Sequence, residues 1–173
     1  MRGLALLGMA GIFCAIGTLA GLGQANAELL SDSSRVRLGV TTVNVGWGDD
    51  ADVSVSLTVR NATPCELARS DYWGTAGGTP RTVVTRMLVT MGGDTVFVPF
   101  GAYGDLSEPL TVAVACSIGD FTITVVGGDA AGSYSATFVV SGLILKKRRV
   151  ASLESPDDVW EETTYSWFGP GAE

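Results

Sequence analysis

Hydrophobic and polar side chains alternate along most of this chain. In the segment DVSVSLTVR, residues 52–60, every second residue is valine or leucine, and the residues between them are polar or charged. The same alternation runs through LTVAVACSI, FTITV and SYSATFVV, which occupy residues 110–118, 121–125 and 133–140. Because successive side chains of a strand point to opposite faces of a sheet, the pattern predicts strands with one buried face.

Short segments that combine glycine with aspartate separate the alternating runs. Examples are GGD at residues 92–94 and GGDAAG at residues 127–132. Glycine supplies the positive φ that tight hairpins need, and aspartate favours turns, so these segments predict hairpin connections. With the turns placed, strands are predicted at residues 35–47, 52–60, 82–91, 95–100, 109–118, 121–126, 133–140 and 143–151.

The predicted fold is a single all-β domain. Strands joined mostly by hairpins favour an antiparallel β-sandwich of about eight strands. A closed up-and-down β-barrel is the alternative, since a period of two does not distinguish these architectures. Within the first predicted strand the apolar phase changes near Thr41, which predicts a β-bulge.

Two segments carry the signals of a helix start instead. TPCE at residues 63–66 and SPDD at residues 155–158 each offer a hydroxyl N-cap, a proline at the first helical position and an acid three residues after the cap. Two short capped helices are therefore predicted. The first is expected to run to about Ser70, and the second opens the acidic, aromatic C-terminal segment, residues 154–173.

That C-terminal segment is predicted to pack on the domain as a lid or edge cover rather than to remain a free tail. In a helix that begins at Pro156, Trp160 and Trp167 share one face and can cover apolar strand surface. Its acids are expected to lie near the basic cluster KKRR, residues 146–149. We interpret this cluster as a solvated strand end that discourages edge-to-edge pairing.

The start of the chain predicts export. Arg2 is followed by an apolar and small-residue run over residues 3–23 and then by the small-x-small sequence Ala25-Asn26-Ala27. This order is typical of a secretory signal peptide, here residues 1–27, which leaves a mature domain of residues 28–173. The expected location is secreted or periplasmic. The apolar run approaches the length that spans a bilayer, so an uncleaved membrane anchor is the alternative.

The charge of the mature chain argues against several classes of partner. Without Arg2, ten basic and eighteen acidic side chains remain, which gives a net charge of −8. Nucleic acid and anionic lipid both call for a basic face, so neither nucleic-acid binding nor membrane contact after cleavage is expected. No cofactor is predicted, and both a protein and a small molecule remain open as the partner.

Cysteine and aspartate supply two candidate structural sites. Cys65 and Cys116 form an even pair in an exported chain, which predicts one disulfide, with two separate buried thiols as the alternative. Asp49, Asp50 and Asp52 offer oxygen ligands for a calcium ion. The spacing of an EF-hand loop is missing there, so we favour a polar turn with solvated carboxylates.

The sequence predicts a protein without catalytic activity. The chain contains no histidine, which removes serine and cysteine nucleophile systems that use a histidine base and most zinc sites. A hydrolase that uses two carboxylates is the remaining enzymatic alternative. Its candidates lie in predicted connections and are Glu66, Asp71, Asp105 and Glu108.

The best candidate for a working surface is the connection from residue 61 to residue 81. It is too long for a simple hairpin, and long ordered loops are often functional. Its candidate partner-binding residues are Arg69, Asp71, Tyr72 and Trp73, because tyrosine, tryptophan and arginine are enriched in binding hot spots. In the competing interpretation, the two aromatic residues only fill one end of the sandwich core. We therefore predict a binding, inhibitory or surface-associated module. A β-barrel carrier that holds a small apolar ligand beneath the lid, residues 160–168, is the alternative.

Overall fold

The computed structural model describes residues 30–46, 52–68, 71–117 and 120–166. The predicted signal peptide lies outside these residues, as do Asp49, Asp50 and Arg69. Within the described ranges, no helix has the length and apolar character needed to cross a membrane.

The described residues form two antiparallel sheets. Their strands are β1 (Leu30–Arg35), β2 (Gly39–Val45), β3 (Val53–Asn61), β4 (Thr82–Met91), β5 (Asp94–Val96), β6 (Pro109–Ser117), β7 (Asp120–Gly127), β8 (Tyr134–Ser141), β9 (Ile144–Ser152) and β10 (Val159–Thr164). One sheet has the order β1-β6-β7-β8-β9-β10 and the other the order β2-β3-β4-β5. The prediction of an antiparallel β-sandwich is confirmed. The sheets do not close on themselves, so the alternative of a barrel is wrong.

The core lies between the inward faces of the two sheets, as the alternation predicts. Along β3 the residues Val53, Val55, Leu57 and Val59 are all buried, while the serines between them are partly exposed. The largest fully buried side chains come from both sheets and from the loop before β6, and they include Tyr134, Phe138, Leu57, Leu106, Ile123 and Leu145. Burial of this apolar surface is the main force that holds the sheets together.

The first predicted strand, residues 35–47, corresponds to β2, and the preceding strand β1 in the other sheet was not predicted; only Arg35 of the predicted range lies in β1. β1 pairs with β6, whereas β2 begins at Gly39 with a φ of 91° and pairs with β3. Leu38 and Val40, which the pattern places in the core, are 59% and 65% exposed. The chain crosses between the sheets at residues 36–38, just before the phase change, and β2 pairs with β3 without a register shift, so the predicted bulge near Thr41 is wrong.

The first predicted helix is confirmed and is short. Helix α1 spans Pro64–Leu67 after Thr63 as the N-cap, and it ends before the predicted Ser70. The backbone N–H and the hydroxyl of Thr63 donate to Oε2 of Glu66 at 2.7 and 2.8 Å. Arg60 donates to both carboxylate oxygens of Glu66 at 2.7 and 2.8 Å. The hydrogen bond from Arg60, followed by that from the Thr63 backbone, lowers the pKa of Glu66 to about 2.

The second predicted helix is wrong. Residues 155–158 form a turn in which the N–H of Asp158 donates to the carbonyl of Ser155 at 2.8 Å, and the chain continues as strand β10. β10 pairs antiparallel with β9 and shifts register between Val159 and Glu161. A hydroxyl followed by proline and aspartate also favours tight turns, and a short isolated helix is only marginally stable, whereas pairing along β9 stabilises the strand. The segment thus covers the β9 edge as a strand, and Trp167 lies outside the described residues.

The basic cluster at residues 146–149 lies on an inner strand, so its interpretation as a solvated strand end is wrong. β10 extends the sheet beyond β9 and brings acids beside the cluster, which confirms their predicted proximity. Lys147 pairs with Glu162 at 2.8 Å, and Arg148 pairs with Glu161 at 2.7 Å. Opposite charges on adjacent strands favour this pairing.

The predicted disulfide is wrong, because both cysteines are free: Cys65 is exposed on α1 and Cys116 is buried in β6. Helix α1 follows the end of β3, where Asn61 pairs with Thr82. The carbonyl of Thr82 accepts a hydrogen bond from the N–H of Glu108, which directly precedes β6, so α1 lies near the start of β6. Cys116 lies seven residues after Pro109, the first residue of β6, which is about 23 Å along the strand at ~3.3 Å per residue. A disulfide needs Cα atoms within about 7 Å.

Alkylation with iodoacetamide is expected to distinguish the two thiols in the native protein. Cys65 should react without prior reduction, because it is exposed. Cys116 should react only after denaturation, because it is buried and burial raises the pKa of its thiol, which keeps the reactive thiolate scarce. Peptide mapping by mass spectrometry identifies the labelled site. A Cys65 that reacts only after reduction would contradict the free-thiol assignment.

Candidate functional site

An open cleft of about 480 Å³ lies where the 61–81 connection meets β10 and the 3₁₀ turn Ala130–Gly132. We call it the Trp cleft. Its lining residues are Tyr72, Trp73, Gly74, Ala76, Gly77, Ala131, Gly132 and Trp160. Five of these eight residues belong to the connection that the sequence singles out. Its volume falls within the range of about 300–1,000 Å³ that is usual for small-molecule sites.

A stacked pair of tryptophans forms part of the cleft wall. The ring centroids of Trp73 and Trp160 are 5.5 Å apart and the ring planes differ by 23°. Both side chains are partly exposed while they pack against the core. The Nε1 of Trp160 donates to Oδ2 of Asp158 at 3.0 Å, which helps to fix the ring. The pair therefore presents rigid aromatic surface to the cleft.

Backbone hydrogen bonds hold Trp73 in place. Its N–H donates to the carbonyl of Asp105 at 2.9 Å, and its carbonyl accepts from the N–H of Ser107 at 3.0 Å. The Ser107 hydroxyl donates to the same carbonyl at 2.7 Å. These bonds make a short parallel bridge between Trp73 and Leu106. The position of this ring is thus set by the loop before β6 rather than by the connection alone.

The floor beside Trp73 is packed so tightly that only glycine fits. Gly74 has a φ of 103°, and a Cβ there would lie 2.7 Å from the Ser107 carbonyl oxygen and 2.9 Å from the Tyr134 ring. The hydroxyl of Tyr134 donates to that same carbonyl at 3.0 Å. Tyr134 is completely buried, and burial raises its pKa far above the ordinary value, so it stays a neutral hydrogen-bond donor.

An ion network around the buried Arg148 joins β10 to the loop before β6. Arg148 is 2% exposed; its Nη1 donates to Glu161 at 2.7 Å, and its Nη2 donates to both oxygens of Asp105 at 2.7 Å. Its Nε finds no hydrogen-bond partner among the described residues. Asp105 also holds the Trp73 backbone, and Glu161 follows Trp160 on β10. The network therefore links β10, which carries Trp160, to the loop that binds the Trp73 backbone.

The structure brings together only part of the predicted partner-binding set. Tyr72 and Trp73 both line the cleft, but Tyr72 is 7% exposed and presents little surface. Asp71 is exposed and is not among the described lining residues. Sequence reasoning missed the role of Arg148 and the stacking of Trp160 on Trp73. The signal that identifies β10 as a strand is its β-branched, polar sequence VWEETT opposite a basic run.

The described residues show no calcium site. Among them, no group of three or more acidic, cysteine or histidine side chains could hold a metal ion. Asp52 is exposed, and its backbone carbonyl accepts a hydrogen bond from Gly92 at 3.1 Å. Because Asp49 and Asp50 lie outside the described residues, the structure does not test a calcium site formed by all three acids.

Three of the four carboxylates considered for a hydrolase bind separate parts of the fold. Glu66 binds Arg60 and Asp105 binds Arg148, while Glu108 accepts hydrogen bonds from the backbone N–H groups of Arg81 and Thr82. Of the described residues that line the Trp cleft, none is charged.

The described lining of the Trp cleft consists of aromatic and small residues. It offers aromatic faces, small glycine and alanine walls, and backbone groups. Comparison of the chain with protein-family models, with curated proteins and with solved structures found no match.

Proposed function

We propose that this chain is an exported, non-catalytic β-sandwich that binds its partner through the Trp cleft. The observation that carries the proposal is the stacked pair of Trp73 and Trp160 in the wall of an open cleft. Rigid aromatic side chains supply large contact areas at a low cost in conformational entropy, which makes them frequent anchors in binding sites. Export is supported by the leader-like sequence at residues 1–27.

The absence of catalysis is supported by the residues that surround the cleft. The chain has no histidine, and the described lining residues carry no carboxylate, amine or thiol. Of the carboxylates near the two tryptophans, Asp158 accepts a hydrogen bond from Trp160, and Asp105 and Glu161 both bind Arg148. A general acid or base needs a free titratable group within reach of its substrate.

The cleft favours a ligand with a flat, uncharged face. The small residues Gly74, Ala76 and Gly77 leave room for a planar ring, and the two tryptophan rings offer surface on which it can stack. A side chain of a protein partner or a small molecule of that shape satisfies the same chemistry.

Titration with indole, followed through the indole N–H signals of Trp73 and Trp160 by NMR, tests this proposal. Both signals are expected to shift, and Trp73→Ala should weaken indole binding at least about tenfold, because one aromatic anchor is worth ~1.4 kcal/mol or more. The matched control is Phe100→Ala, which removes an aromatic ring that is 63% exposed and is not among the described lining residues.

The control should bind indole as the wild type does, and the melting temperatures of both variants show whether they keep their fold. Indole binding that is unchanged in a folded Trp73→Ala variant would refute the Trp cleft as the binding site. Signals that shift only outside the cleft would have the same consequence.

A further inference from the structure

The two sheets have four edge strands among the described residues, and three of them are protected against pairing with another chain. β5 has only three residues. β10 carries Glu161 and Glu162 and has a register shift. β1 carries Asp32 and Arg35. Short length, charge and irregular register are the usual means by which proteins block an exposed sheet edge.

The fourth edge strand, β2, has none of these protections. Its sequence GVTTVNV contains no charge and no proline. It pairs with β3 in continuous register from Gly39 to Val45, without a bulge. Since β3 is its only neighbour in the sheet, the backbone groups that face away from β3 have no partner strand among the described residues. A long, regular and uncharged edge of this kind is a template for an added strand.

A polar groove of about 360 Å³ runs beside this edge, between the end of β1 and the start of β2. It is lined by Ser34, Arg35, Arg37, Val40, Thr41 and Thr42. The backbone N–H of Arg37 donates to the Thr41 hydroxyl at 3.1 Å, which anchors the crossing segment against β2. The groove therefore lies between the end of β1 and the first half of β2.

The charge of this groove is opposite to that of the protein. Within the described ranges, neither Arg35 nor Arg37 forms an ion pair, although the whole chain has a net charge of −7. Arginine guanidinium groups form strong, often bidentate hydrogen bonds with carboxylates. Two such groups beside an open strand edge match an acidic ligand.

We propose that β2 binds an extended, acidic polypeptide segment as an added strand, with carboxylates of the segment paired to Arg35 and Arg37. Backbone hydrogen bonds to β2 provide the attachment, and the arginines select for acidic side chains. A second copy of this strand does not fit the same role, because β2 itself carries no acid. This site is separate from the Trp cleft and does not depend on the function proposed for it.

The probe is a blocked heptapeptide that alternates glutamate with threonine or valine, with a lysine-containing counterpart as its charge control. The full mature chain is titrated with each peptide at low salt, and binding is followed by NMR and by amide hydrogen exchange. The glutamate peptide is expected to protect those amides of Gly39–Val45 that face away from β3, and to bind at least about tenfold more tightly than the lysine peptide. Added salt should weaken its binding.

Two variants separate charge selection from a general loss of fold. The double substitution Arg35→Glu and Arg37→Glu should abolish the preference for the glutamate peptide. Arg86→Glu changes an exposed arginine on β4 outside the groove and should leave the preference intact. A preference that persists in the double variant would overturn the role of the two arginines.

Two further peptides test the strand pairing itself. N-methylation of alternate residues of the glutamate peptide removes the backbone N–H donors along one edge of the extended peptide and keeps its charge. One peptide is methylated at the odd positions and the other at the even positions, so that each edge is blocked in one of them. At least one of them should bind about tenfold more weakly than the parent. Equal binding of all three, or protection confined to residues other than 39–45, would overturn strand addition.

Discussion

Replacement of Asp105 by alanine is expected to lower the free energy of unfolding by about 3 kcal/mol, because it leaves a buried guanidinium with one partner fewer. Arg148 is 2% exposed and donates to both carboxylate oxygens of Asp105 at 2.7 Å. Glu161 remains as a partner and Asp105 itself is 27% exposed, so the loss should lie at the lower end of the range for broken buried pairs.

Urea denaturation of the wild type and the variant measures this loss. The matched control is Glu162→Ala, which breaks the neighbouring pair with Lys147 on the same two strands. Those side chains are 45% and 41% exposed, so the control should cost less than ~1 kcal/mol. Equal losses in the two variants would show that the Arg148 network adds no more to stability than an exposed ion pair.

The Asp105→Ala variant also tests how the Trp cleft is built. The Asp105 backbone carbonyl that binds Trp73 is retained in the variant, whereas the side-chain connection to Arg148 and hence to β10 is lost. We therefore expect the cleft to lose rigidity before the sandwich unfolds. A greater spread in the relative positions of Trp73 and Trp160 would accompany this loss.

Most of the sandwich could be predicted from alternation alone, because the alternation within one segment already shows that it is a strand and which of its side chains face the core. Residues 82–91 were predicted as a strand and form β4 with those bounds. The crossing between β1 and β2 could not be recognised in the same way. A change of apolar phase has the same appearance in the sequence whether the strand bulges or moves to the opposite sheet.

The features that were missed depend on which segments become neighbours. Arg148 is buried because β10 and the loop with Asp105 lie on either side of it, and no local pattern reports those neighbours. The disulfide was inferred from an even number of cysteines in a chain predicted to be exported. That count says nothing about the length of β6 between Cys116 and the end near α1. Within the Trp cleft, the aromatic residues of the connection could be predicted, but the stacking of Trp160 on Trp73 required the course of β10.

Gly74→Ala is expected to lower the free energy of unfolding by about 4 kcal/mol, which combines ~1–2 kcal/mol of left-handed backbone strain with ~1–3 kcal/mol of overpacking. Its Cβ would lie 2.7 Å from the Ser107 carbonyl oxygen and 2.9 Å from a ring carbon of Tyr134. Neither group can move freely. The carbonyl accepts the Tyr134 hydroxyl at 3.0 Å, and the ring is completely buried.

Gly77→Ala is the matched control, because this glycine also has a positive φ, 82°, and lines the same cleft. A Cβ at Gly77 has nothing within 4 Å, so only the backbone strain of about 1–2 kcal/mol applies. Urea denaturation of both variants isolates the effect of crowding. Because Gly74 follows Trp73 directly, its variant should also weaken indole binding more than the control does. Losses of stability that agree between the two variants would show that the floor of the cleft can relax around a methyl group, and that its tight packing does not fix the position of Trp73.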